Sequence, residues 1–127
     1  MIEILTGFPD NVLAAAAHGK LTGDDYRKVL QPAVKEKMRG PKPVRFFYHL
    51  GLDYDGIDMG ALVEDARTGL SHWKDWGAIA VVTDAASVRD MVGFFGLFFH
   101  HPVRVFFNAD YDKAKAWISA VTVKDAA

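Results

Sequence analysis

The chain contains no cysteine. Disulfides, thiolate nucleophiles and cysteine metal sites are excluded together, which suits a reducing compartment. It also lacks a charge of one sign: 15 Lys and Arg stand against 16 Asp and Glu, a formal net charge of −1. No basic field exists to hold a phosphate backbone, so a nucleic-acid partner is not expected. Long apolar runs are missing as well. The most apolar stretch, residues 91–99, is far too short to span a bilayer. Met1-Ile2-Glu3-Ile4-Leu5 has no basic leader and no apolar core of a signal peptide. The expectation is a cytoplasmic chain without a transmembrane segment.

Catalytic motifs are equally scarce. There is no GxGxxG or GxxxxGK[ST] loop to cradle a phosphate. The serines, Ser71, Ser87 and Ser119, fall on predicted helices, outside any GxSxG elbow. His18, His49, His72, His100 and His101 form no HExxH or other tight ligand pair. The string Asp53-Tyr54-Asp55-Gly56-Ile57-Asp58, with Glu64 eleven residues after Asp53, invites comparison with a calcium loop. Ile57 stands where a ligand is needed and Asp58 where the turn needs glycine, so the pattern fails. No metal, no cofactor and no enzymatic activity are expected.

What is present is a core: half of the 127 residues are apolar. A chain of this size buries roughly two thirds of the surface its unfolded form exposes. A single domain over residues 1–123 is expected, with a loose tail at 124–127. Residues 2–6 alternate as a half-buried strand does. A turn cluster at 7–11 leads to a second short apolar run at 12–18, which suggests an antiparallel hairpin. Thr22 and Asp25 make a capping pair for a first helix carrying Tyr26, Val29, Leu30, Ala33, Val34 and Met38, kinked at Pro32. Residues 44–50 form the clearest strand, followed by a polar loop at 51–57. Asp58 caps a second helix, with Met59, Leu62, Val63, Ala66, Leu70 and Trp73 on one face. Residues 78–83 make a buried strand. Asp84 is expected to cap a third helix, ending near His100-His101-Pro102. Residues 103–107 make a fifth strand, and Asp110 caps a last helix. The order β-β-α-β-α-β-α-β-α predicts a mostly parallel sheet joined by right-handed crossovers, with only the first strand antiparallel.

Several strings point to a family. Gly19-Lys20-Leu21-Thr22 with Asp25-Tyr26 and Leu30-Gln31-Pro32-Ala33 is one. Ser71-His72-Trp73-Lys74-Asp75 followed by Ile79-Ala80-Val81-Val82-Thr83-Asp84 is another. Val103-Arg104-Val105-Phe106 and Ala114-Lys115-Ala116-Trp117-Ile118 complete the set. Together they resemble the SpoIIAA-like proteins of the STAS/SEC14 type, over essentially the whole chain. The resemblance implies a SpoIIAA-like (STAS-like) fold and a protein-interaction role. Anti-sigma-factor antagonists of the STAS type carry an Asp-Ser pair at the start of the helix after the third strand. Here that place reads Asp58-Met59-Gly60. A thioether cannot accept a phosphoryl group, so the phospho-switch does not carry over. The SEC14 side of the resemblance suggests lipid binding, although a chain this short offers no obvious room for an internal lipid cavity.

Two places remain as candidate functional surfaces. The carboxyl ends of the strands, where open α/β sheets favour ligands, should gather His49, Asp53, Asp55, Thr83, Asp84 and Asn108. Arg45 and Arg104 interrupt apolar strands together with Phe47 and Phe106, so one sheet face should be less covered and able to meet a protein or an anionic small ligand. The third helix is apolar nearly all round. Val88, Met91, Val92 and Phe95 should pack on the sheet, while Phe94, Phe98 and Phe99 are left for deeper core, with the fourth helix covering them, or for a homodimer contact. No Lys or Arg cluster flanks them, which weighs against membrane-surface contact. The two functional readings are an interaction module, homodimeric through Phe94, Phe98 and Phe99, and a carrier or sensor of a small acidic or apolar molecule.

Overall fold

A computed structural model describes residues 1–122 of the chain; the expected tail at 124–127 lies outside the described residues. Five strands form one sheet in the order β1-β2-β3-β4-β5, namely Ile2–Ile4, Val12–Leu21, Val44–Ile57, Trp76–Thr83 and Val103–Phe106. β1 is antiparallel to β2, and the other three pairings are parallel. The first helix, α1, is continuous over 23–37: an α-helical turn Gly23–Asp25, a π-helical segment Tyr26–Leu30 and an α-helix Gln31–Lys37. Next come α2 (Met59–Ser71), α3 (Ala86–Gly96) and, after the 3₁₀ turn Asn108–Asp110, α4 (Tyr111–Ala120).

The start of α1 is the expected reciprocal cap. The Asp25 amide donates to Thr22 Oγ1 at 3.3 Å, and the Thr22 amide donates to Asp25 Oδ2 at 2.8 Å. The kink expected at Pro32 takes the form of the π segment just before it. Gln31 donates to the Tyr26 carbonyl, and the wide turn relieves the crowding that a proline ring imposes on the preceding turn. Asp58 caps α2 as expected, accepting from the Ala61 amide at 2.7 Å.

Three local expectations need correction. The polar loop at 51–57 is a continuation of β3. β2 also runs on to Leu21, and the two stay paired through register shifts around Gly19, which takes a φ of +64° that glycine tolerates without strain. Asp84 does not cap α3. Ala85 holds that position and makes no side-chain cap bond, while Asp84 Oδ1 accepts from the Asn108 amide at 2.9 Å, tying the ends of β4 and β5 together. Asp110 stands at the start of α4 without a capping bond, because the preceding 3₁₀ turn already occupies the backbone there.

All three crossover connections advance the same way across the sheet, so right-handedness places α1, α2 and α3 on one face. The other face meets α4. Its core joins Val12, Ala14, Phe47, Ala78, Ala80, Val82 and Phe106 to Ala114 and Ile118. This is the face carrying Arg45 and Arg104, and one helix covers it. Arg45 donates to the Ile118 carbonyl at 2.9 Å, and the Arg104 guanidinium lies over the rings of Phe106 and Trp117. The less-covered face is therefore as expected, and its arginines are engaged with the protein itself.

Candidate functional site

Of the residues expected to gather at the strand ends, His49, Asn108 and Asp84 are joined through hydrogen bonds, and Asp53 lies close to His49. His49 Nε2 donates to Asn108 Oδ1 at 3.1 Å, and loss of hydration pushes the His49 pKa down. Thr83 Oγ1 accepts from the Ala85 amide at 3.1 Å. Asp53 is hydrogen-bonded to His18, whose Nδ1 lies 2.7 Å from Asp53 Oδ2 while its Nε2 lies 2.9 Å from Glu3 Oε1. Both ring nitrogens face carboxylates, which requires both to donate, and the hydrogen bonds to Glu3 and Asp53 raise the His18 pKa. Asp55 is exposed and joins none of these contacts. The edge is a set of small structural ties. Among the described residues no group of three His, Asp or Glu side chains is placed to hold a metal ion.

A cavity open to solvent on one side lies on the opposite face. Between the sheet and α1, α2 and α3 is a cavity of about 480 Å³. No room was expected for an internal lipid cavity; this space is instead a cleft that opens to solvent at its rim. Its sheet wall includes Phe46, Tyr48, Leu50, Ile79 and Val81, and α3 supplies Val88, Met91, Val92 and Phe95. Of that α3 stripe only Val88 is buried; the other three border the cavity instead of packing flat on the strands. The rim is formed where Leu62, Leu70 and Met91 reach solvent.

The sequence explains why the space stays open. Leu62, Asp65, Ala66 and Gly69 of α2 recur at intervals of three and four and so share the side that borders the cavity, and Trp73, just past the helix end, continues the series; the side of α2 buried in the protein carries Ala61, Glu64 and Thr68 instead. Three of these five are small or polar. A side-chain carbon added at Gly69 would meet nothing within 4 Å. The large side chains of α1 and of the sheet therefore have no counterpart to interlock with.

Polar groups in the cavity are few. Tyr26 and Tyr48 are buried with their hydroxyls 3.0 Å apart, and lost hydration pushes both phenols well above their ordinary range. Asp65 lines the same space. It keeps solvent access, but protein surrounds it closely enough that lost hydration raises its pKa, with the nearby Tyr26 hydroxyl offsetting part of the effect. No Lys, Arg or His lines the cavity, and no ion pair reaches Asp65 among the described residues. Sequence reasoning missed Asp65 and the three tyrosines. Asp65 was detectable as the one acid inside the apolar spacing of α2.

The outer side of α3 is exposed. Phe94 and Phe98 are 66% and 68% accessible, and their rings meet edge to face at 5.2 Å. Leu97 between them is 77% accessible. Phe99 departs from this set: it turns inward against Trp73 and Phe95, each with ring centroids 5.2 Å away. The fourth helix, on the far face of the sheet, covers none of them.

An α/β sheet with one antiparallel edge strand, three helices on one face and one on the other defines the SpoIIAA-like architecture. The SpoIIAA-like family model matches residues 12–119, and the chain belongs to that family. A crystal structure of an uncharacterized protein of the DUF3478 family from Shewanella loihica PV-4, described as having a SpoIIAA-like fold, is similar in shape. Its TM-score is 0.76 at 23% sequence identity, covering 92% of this chain and 93% of that one. No curated protein matches the sequence. Among the described residues no helix is long and apolar enough to cross a membrane.

Proposed function

We propose that this SpoIIAA-like module is a non-catalytic binding protein whose cavity holds a small, largely apolar molecule, as a carrier or sensor. The observation that carries this reading is the cavity of about 480 Å³ walled by apolar side chains. That volume is in the usual range for ligand pockets, roughly 300–1,000 Å³. Its walls are apolar and its rim is open to solvent, so in the empty protein water meets hydrocarbon there, at about 25 cal/mol per Å² of apolar surface. An occupant that displaces water from these walls recovers part of that cost. Of the two ligand chemistries expected from sequence, the apolar one is favoured, because Arg45 and Arg104 are engaged elsewhere. Native mass spectrometry of the purified protein should show a co-purified small molecule. Gly69→Leu, which fills the cavity from α2, should abolish its retention while the protein stays folded. Equal retention by both proteins would remove the cavity as the binding site.

A second reading rests on the exposed Phe94, Leu97 and Phe98. Two copies related by a two-fold axis would bury these side chains against each other. Sedimentation at rising concentration should show a dimer, and the double variant Phe94→Asp with Phe98→Asp should be a folded monomer. A wild type that stays monomeric throughout removes this reading. Met59, 73% accessible at the start of α2, stands where the sequence resemblance would put the STAS phosphoserine. The module is accordingly read as lacking that switch. Treatment with a STAS kinase should leave no phosphate in residues 51–64.

A further inference from the structure

The polar groups that line the cavity are few, and Asp65 is its only ionisable acid or base besides the tyrosines. One carboxyl, Asp65, lines a space otherwise bounded by hydrocarbon, aromatic rings and the hydroxyls of Tyr26, Tyr48, Tyr54 and Thr68. Thr68 is already engaged: its hydroxyl donates to the Glu64 carbonyl at 2.8 Å and accepts from Gln31 Nε2 at 3.1 Å. The Tyr26 and Tyr48 hydroxyls bond each other. Asp65 alone has no cationic partner. Asp65 keeps solvent access and has the Tyr26 hydroxyl nearby, but no counter-charge faces it from the cavity walls, so a cation entering the cavity would meet an unneutralised carboxylate. A fatty acid would bring a second carboxylate beside the first, with no Lys, Arg or His lining the cavity to neutralise either. An alcohol would gain a hydrogen bond but supply no counter-charge. An ammonium group supplies both, and its three donors can serve Asp65 and a neighbouring tyrosine hydroxyl together.

Resting on the carrier reading, we infer that the cavity selects apolar molecules bearing a protonated amine, with the Asp65 carboxylate as the head-group partner and the Tyr26–Tyr48 hydroxyl pair beside it. The apolar body lies along Phe46, Ile79, Val92 and Phe95, and the rim at Leu62, Leu70 and Met91 is the way in.

The experiment uses the full chain and three probes of equal chain length, decylamine, decanol and decanoate, each kept monomeric in solution. Trp73 and Trp76 line the cavity and Trp117 packs on the far face, so tryptophan fluorescence reports occupancy. The expected order of affinity is amine, then alcohol, then carboxylate. Asp65→Asn, nearly the same shape, should weaken decylamine by about tenfold or more and leave decanol unchanged. Should that variant fail to fold, the amine-to-alcohol preference of the wild type decides by itself. Equal binding of amine and alcohol, or preferred binding of decanoate, overturns the head-group inference and leaves the carrier reading standing. Absence of binding by all three overturns the carrier reading and this inference with it.

Discussion

The two faces of the sheet are built differently, and the better-covered one is the looser. One helix closes the α4 face, yet Phe47, Ala78, Ala80, Val82, Ala114 and Ile118 there are wholly inaccessible. Three helices lie on the other face and leave a cavity of about 480 Å³. Coverage is therefore not packing. On the α4 face large rings stand beside small residues: Phe47 and Phe106 rise between the alanines of β4, and Ala114 lets α4 approach closely. On the other face the small residues Ala66 and Gly69 sit opposite a cavity and not opposite a ring. Interlocking requires large against small across the interface; the α4 face has it throughout, while the other face has it around Ala15, Ala17 and Tyr26 but not where Ala66 and Gly69 border the cavity.

The sharpest way to break this comparison is to delete side chains of similar size on the two faces. Ile118→Ala, at a fully buried position of the α4 face, should cost about 2–5 kcal/mol. Met91→Ala, at the cavity rim and half exposed, should cost less than about 1 kcal/mol, since its surroundings are already open. Urea denaturation measures both, and equal costs would mean that the second face packs as tightly as the first.

Asp65 gives a test by pH. Its pKa is higher in the folded protein than in the unfolded chain, so the folded state holds the proton longer. Stability then falls as pH rises through the interval between the two values. Asp65→Asn lacks that slope and should melt at a higher temperature than wild type at neutral pH, the gap closing in acid. A gap independent of pH would mean that lost hydration at Asp65 has no energetic consequence.

Gly69 offers a smaller effect in the stabilising direction. An added methyl meets nothing within 4 Å, and alanine is the better helix former, so Gly69→Ala should gain about 0.5–1 kcal/mol. A loss would show that the cavity side of α2 is closed at that point.

The smallest effect belongs to His18, at the margin of the α4 face. Its pKa is raised above its ordinary 6.5 by Glu3 and Asp53. The clamp contributes fully below that ordinary value and is lost as pH rises through the raised one. His18→Gln should therefore lower the melting temperature in mildly acidic buffer and hardly at all in alkaline buffer. Added salt should shrink the difference, because both partners are exposed.

Much of the architecture was legible in the chain itself. Strand and helix periods are local properties, so element order, the Thr22 and Asp58 caps, the antiparallel first strand and the arginine-bearing sheet face could all be read from residue types and spacing. Where a side chain had two uses, the sequence could not choose. Asp84 and Asp110 are good capping residues that the fold employs otherwise, and Asp53 lies near His49 as expected but takes its hydrogen bond from His18 across a bulge. Residues 51–57 read as a loop because polar and turn-forming residues dominate them. They become strand only because β2 continues beside them and satisfies their backbone. Asp65 was visible as an acid at apolar spacing on α2, but its consequence was not. Whether the small residues on the cavity side of α2 meet a neighbouring side chain or empty space depends on how far apart α1, α2 and α3 sit on the sheet. That distance is set by contacts among residues remote in sequence, which no local period encodes.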